Sequence, residues 1–253
     1  MDHYTNMAWK YLFPRNCSAV LFKEMDFTSH CARMALFRLF SIFVTSASTL
    51  VYFPQFAKIL NARNSQGISY LAVFLGMISS AGTAAYGFHK GTTFSKYGDS
   101  VFLLIQQMLL FTLILYYSTH SSFAFAFIAT CWAAMFAVIG QFVPVTVLRA
   151  IFQYSVPIGI ASKLVQARLN FKNKSTGQLS LPSTFLVIFA DLGRCLTKRK
   201  EPLQMVGMRG FSVAISLLLL WQFRIYKGKD VAEPVKIKEA PVKAKRREKK
   251  KSE

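Results

Sequence analysis

Acidic residues are scarce: 11 Asp and Glu stand against 31 Lys and Arg, and charged residues make only 17% of the chain. With 53% hydrophobic residues and 24 Phe, this excludes an ordinary soluble enzyme surface and points to an integral membrane protein. Catalytic spacings are missing too. The histidines, His3, His30, His89 and His120, fall in tails or loops, where a lone imidazole is usually solvated. No G-x-S-x-G, H-E-x-x-H or phosphate-cradling glycine loop is present, so neither an enzyme nor a resident metal or cofactor is expected. The cysteines, Cys17, Cys31, Cys131 and Cys195, form no C-x-x-C pair. Cys131 and Cys195 read as packing residues. Cys17 and Cys31 could pair if the N-terminal tail faces an oxidising lumen, with two free thiols as the alternative. A secretory signal is not recognisable either, so the first spanning helix is expected to direct insertion.

What is present is apolar length. A spanning helix needs about twenty mainly apolar residues, and that ruler picks out 39–60, 68–88, 99–118, 122–140, 142–166, 182–197 and 206–226. Gly140 and Pro144 are expected to break the fourth from the fifth. Residues 1–38 read as a tail, and 227–253, rich in Lys and Arg with no core-forming period, as a disordered basic tail. The net charge of +20 then sits in loops and tails, where it serves topology and contacts to anionic membrane lipids; a nucleic-acid partner is not expected.

The chain is organised around YFPQFAKILNARNSQGIS, Tyr52 to Ser69. Pro54 inside a spanning helix would kink it and free the carbonyl of Leu50, with the amide of Gln55 at the same level. Lys58 to Arg63 parallels Lys163 to Arg168 with identical internal spacing; each is preceded by a proline, Pro54 or Pro157, and followed by a glycine turn, Gly67 to Ser69 or Gly177 to Ser180. This is an internal repeat of about a hundred residues. Three helices, a linking helix and three more give an all-α membrane protein: seven transmembrane helices as two parallel three-helix bundles, 39–118 and 142–226, joined by 122–140. A pathway between such halves near the midplane is expected. In the second copy Ile158 follows the proline, and the turn after Arg168 looks five residues longer than its counterpart after Arg63. Gln153, whose carbonyl Pro157 frees, is the candidate substitute for the missing amide.

The Pro-Gln pair with its short basic turn resembles the PQ-loop family of membrane proteins. Gln66-Gly67-Ile68-Ser69, the stretch FSKYGDSVFLLIQQ from Phe94 to Gln107, and Thr176-Gly177-Gln178-Leu179-Ser180 are similar to the branch that serves dolichol-linked sugars in the endoplasmic reticulum. The resemblance implies lumenal use of dolichol-phosphate-mannose and dolichol-phosphate-glucose, with lumenal glycosyltransferases as partners. Small-solute carriers of the PQ-loop type and a scaffold for glycosyltransferases are the alternatives.

Other candidates come from polar groups inside apolar runs. Gln106 and Gln107 lie mid-span, and at least one must face inward, toward a sugar or a neighbouring helix. Asp191 and Arg194, three apart, can meet as an ion pair, more readily structural than a phosphate or proton site. Gly76, Ser80 and Ala84 recur every four residues and read as a helix-packing face. Asn16 and Asn173 match the glycosylation pattern, and only Asn16 would face the lumen if the C-terminus is cytosolic. Lys250 and Lys251 resemble the dilysine signal that coat proteins read on resident endoplasmic reticulum membrane proteins, with lipid binding as the alternative.

Overall fold

The computed structural model describes residues 30–92, 94–118, 121–197 and 203–226. Asn16, Cys17, Lys250, Lys251 and both tails lie outside the described residues. All regular structure among the described residues is helical: α1 His30–Ser48, α2 Phe53–Ala62, α3 Tyr70–His89, a short 3-10 turn Phe94–Lys96, α4 Gly98–Ser118, α5 Ser121–Ile139, α6 Val145–Asn173, α7 Leu181–Thr197 and α8 Leu203–Ile225. With α1 and α2 counted together, six stretches among the described residues are long and apolar enough to cross a membrane. The remaining helix, α7, has 17 residues, about 25 Å against a hydrocarbon core of about 30 Å. The chain is a multi-pass membrane protein. Phe125, Trp132 and Phe136 of α5 are 63–69% exposed, as lipid-facing side chains should be.

Two expectations are corrected. The first span begins at His30, not Leu39, and is two helices: α1 ends at Ser48, a turn follows, and Pro54 sits in the first turn of α2. There its missing N–H costs nothing, and the Leu50 carbonyl is not freed, since it accepts from Phe53 N at 3.2 Å. Secondly, the five extra residues of the second copy are not loop: α6 runs on to Asn173. Lys174, with φ 47°, therefore takes the left-handed helix-end position that Arg63, also at φ 47°, takes in the first half. The break expected at Gly140 and Pro144 is found: α5 ends at Ile139, Pro144 caps α6, and Gln141 between them has φ 58°.

The helices pack with a regular pattern. In each half the third helix contacts both of the others, α4 touching α1 and α3, and α8 touching α6 and α7. Across the halves, the opening helix of one meets the second helix of the other: α3 lies along α6, while α1 and α2 lie against α7. Tight glycines make these seams. A Cβ on Gly82 would fall 2.7 Å from Ile151, one on Gly159 2.9 Å from Ser79, and one on Gly193 2.5 Å from Val44. Close backbone approach of this sort is how helices gain dispersion energy in lipid. Of the α3 face expected at Gly76, Ser80 and Ala84, Gly76 makes the close approach, a Cβ there falling 2.9 Å from Gln107 and 3.3 Å from Ser162, Ala84 is buried, and Ser80, like Ala72, Gly76 and Ser79, lines a cavity.

Cys31 is disulfide-bonded, and Cys131 and Cys195 are free thiols.

Candidate functional site

Between the halves lies a cavity of about 270 Å³, walled by α2, α3, α4, α6, α7 and α8. On α3 its lining runs from Ala72 to Thr83, about 16 Å along the helix axis. It therefore extends over about half the length of a membrane-spanning helix.

Two glycine turns close one end. Gly67, at φ 84°, packs so closely on Gly177 that a Cβ would lie 2.8 Å from the Gly177 Cα, and Gln178 N donates to Gln66 O at 2.9 Å. Each turn is held by a glutamine of the opposite half. Gln55 donates to Gln178 O at 2.8 Å and accepts from Ser180 N at 2.6 Å. Gln166 donates to Gly67 O and accepts from Ser69 N, both at 2.9 Å. A carboxamide satisfies one donor and one acceptor at once, which is why glutamine can staple a backbone turn. Gln166 is further tied to Asn170 at 2.8 Å, and Asn170 to Gln222 at 2.9 Å, so a buried amide chain crosses to α8. Lys58 adds bonds to Gly177 O and Leu179 O at 3.0 and 2.8 Å.

The glutamine of the Pro-Gln pair therefore works between halves, at the glycine turns. Residues 36–96 match the PQ loop repeat. This PQ-loop domain covers most of α1, all of α2 and α3, and the turn before α4. Proteins of this family are membrane transporters or accessory proteins and not enzymes.

At the other end stands a charge network. Lys163 is ion-paired with Asp191 and donates to Ser212 Oγ at 2.7 Å. Asp191 also accepts from Ser216 Oγ at 3.0 Å and from Arg194 at 3.4 Å, while Arg194 makes its shorter bond, 2.7 Å, to Asp99. The expected Asp191 and Arg194 pair forms, as part of a four-membered network spanning α4, α6 and α7. These side chains are 10–19% exposed, buried but within reach of the cavity. Lys163, Asp191, Arg194 and Arg209 all line it.

The other predicted residues separate into two groups. Gln55 and Gln107 line the cavity; Pro54, Gln106, Gln153 and Pro157 do not. Gln106 mends the break in the first span, donating to Ser48 O at 2.8 Å and accepting from Tyr52 N at 3.0 Å. Gln153 is exposed, and the substitute for a second-half amide is Gln166 instead. Pro157 lies inside α6, where hydroxyls serve nearby carbonyls: Ser155 donates to Phe152 O and Ser79 to Ser155 O, each at 2.7 Å.

Sequence reasoning missed Gln166, Lys163, Asp99 and Arg209 as site residues. Lys163 and Gln166 stood inside the repeated segment, so that signal was available; Asp99 and Arg209 had none beyond a charge near a span end.

Proposed function

We propose that this chain is an endoplasmic reticulum membrane protein through which dolichol-phosphate-mannose and dolichol-phosphate-glucose become usable by lumenal glycosyltransferases, by presenting or translocating the lipid-linked sugar. The observation that supports this reading is the charged end of the cavity, where Lys163, Asp191, Arg194 and Arg209 line the wall and Asp99 pairs with Arg194. Cations held inside a membrane are costly and favour an anionic guest. A dolichol-phosphate sugar offers a phosphodiester anion beneath a polar ring, with a polyprenyl chain that stays in lipid. A volume of 270 Å³ equals about nine waters of liquid, the scale of one sugar headgroup. The identity of the lipid rests on resemblance to the mannose-phosphate-dolichol utilisation defect protein, carried by Gln66 to Ser69, Phe94 to Gln107 and Thr176 to Ser180. A disulfide at Cys31, at the N-terminal end of α1, supports a lumenal N-terminal side and hence a cytosolic C-terminal side.

The test is the profile of dolichol-linked oligosaccharides in cells depleted of the protein, with cytosolic synthesis of dolichol-phosphate-mannose measured in the same extracts. Glycans stalled before the lumenal mannose additions despite normal donor synthesis are the expected result. A full-length profile would remove this reading and leave a solute carrier.

A further inference from the structure

Arg194 spends its hydrogen-bond donors unevenly. A guanidinium carries five N–H groups in a planar fork. Its Nε donates to Asp99 Oδ2 at 2.7 Å and its Nη1 to Asp191 Oδ1 at 3.4 Å, while Nη2 has no partner among the described residues. Nor is that nitrogen sealed in: the fully buried side-chain polar atoms without a partner among the described residues are Gln107 Oε1 and Ser183 Oγ. The side chain is 19% exposed and lines the cavity. A carboxylate that served only to neutralise Arg194 would take Nε and Nη2 together, side-on, with both of its oxygens. Asp99 takes Nε alone, so the outer end of the fork, Nη2 with the second hydrogen of Nη1, is left without a protein acceptor.

Asp99 is placed to hold that pose. It stands in the first turn of α4, where the positive end of the helix dipole favours a carboxylate, and its other oxygen accepts from Ser100 Oγ at 3.5 Å. Aromatic rings fix the start of α4 in turn. Phe94 packs edge-on against Tyr97 and Phe102, with ring centres 5.5 and 6.0 Å apart, and a Cβ on Gly98 would fall 2.6 Å from the Phe94 ring. The carboxylate thus comes from a rigid corner of the first half, and the guanidinium that it seats from α7 of the second.

We propose that Arg194 is the phosphate ligand of this cavity and that Asp99 is its positioning residue, seating Nε so that the Nη1 and Nη2 end of the fork faces the guest. A phosphate group offers two oxygens to that end and accepts from it in a bidentate manner. This deepens the lipid-linked sugar reading and rests on it for the identity of the guest only. Its consequence has a sign that charge alone would not give. A carboxylate close to an anion site opposes the anion, so its removal should strengthen binding if charge were all that mattered. Here removal weakens binding, because the guanidinium loses its seat.

The test uses the purified full chain in phosphatidylcholine nanodiscs and three ten-carbon probes: prenyl phosphate mannose, bare prenyl phosphate and the uncharged prenol. Asp99→Ala is expected to weaken both phosphates about tenfold and to leave the prenol unchanged. Asp99→Asn keeps an acceptor oxygen for Nε and should stay within about threefold of the wild type. Arg194→Lys keeps the charge without the fork and should fall as far as Asp99→Ala does. Phosphate binding unchanged or tighter in Asp99→Ala would show that the carboxylate only neutralises, and overturn the proposal. An equal loss for the prenol would make the pair structural, and equal losses in Asp99→Ala and Asp99→Asn would make charge the requirement; either overturns it. No phosphate binding by the wild type also ends it. The lipid reading fails separately, if inorganic phosphate displaces the probes at equal concentration or depleted cells keep full-length glycans, and the substitutions would then still decide the site. Thermal unfolding checks that Asp99→Ala folds; if it does not, Asp99→Ser, whose oxygen is one bond shorter, takes its place.

Discussion

Lys58 and Lys163 occupy the same place in the two halves, each five residues before an arginine, and they do different work. Lys58 is exposed and donates to the carbonyls of Gly177 and Leu179, tying the closed end. Lys163 is buried against Asp191 and faces the cavity. The cause lies on the neighbouring helices. Asp191 stands eleven residues after Ser180, the serine that opens α7, and the residue eleven after Ser69, which caps α3, is Ser80. The first half therefore has no carboxylate at the matching position to draw its lysine inward. The repeat preserves the skeleton, while one acidic residue converts the second lysine into a cavity cation.

The sharpest way to break this comparison is to make the halves alike. Asp191→Ser gives the second half the residue of the first and strands Lys163 without its counter-ion. Removing one member of a buried pair costs about 3–5 kcal/mol, so a large fall in the thermal midpoint of the detergent-purified protein is expected. Adding Lys163→Met should recover a substantial part of it. A neutral Asp191→Ser would show that the network does not hold α6 to α7.

Next in size is closure by the glycine turns. Gly67→Val introduces both a left-handed β-branched residue and a Cβ at 2.8 Å from Gly177; together these should cost about 3 kcal/mol or more. Gly91, at φ 61° with nothing within 4 Å of a built Cβ, is the control. Gly91→Ala should cost about 1 kcal/mol from backbone strain alone. Equal losses at both sites would mean that strain, and not contact between the turns, governs the first.

The two glutamine staples offer a comparison within the closed end. Gln55→Ala and Gln166→Ala each leave one buried backbone donor and one acceptor unpaired, a loss of about 1–3 kcal/mol. Gln166→Ala should be the larger, because Asn170 also loses a partner. A double-mutant cycle between them should show coupling, since the two turns they hold pack on each other. Strict additivity would make them independent anchors.

Much of the helical framework was legible because apolar length and proline and glycine punctuation are local signals. The glycine turns and the repeated lysine segment could be read directly, whereas Pro54 marked a helix start that the sequence presented as a kink. What escaped was pairing over distance. Arg194 looked like the partner of Asp191 three residues away, whereas its shorter bond goes to Asp99, ninety-five residues off. Gln166 escaped for a different reason: Gln55 precedes its repeat lysine by three residues and Gln166 follows its own by three, so equivalence exists in space and not in alignment. The five inserted residues resembled a longer loop because the left-handed residue that ends α6 is Lys174, whose identity gives no sign of positive φ.

The smallest expected effect belongs to Lys58 itself. Its ammonium makes two bonds to backbone carbonyls, but the side chain is exposed, so water can replace it at those carbonyls when it is removed. Lys58→Met should therefore cost about 1 kcal/mol or less. Lys163→Met should cost more, because Asp191 keeps only Arg194 and Ser216 in a buried setting. If the two substitutions lowered the thermal midpoint equally, burial would not distinguish the lysines and the assignment of Lys163 to the cavity would fail. Measured in 0.5 M salt, on the order of three times physiological strength, any ionic part of the exposed Lys58 contribution should shrink while that of Lys163 persists, since screening reaches exposed charges far more than buried ones.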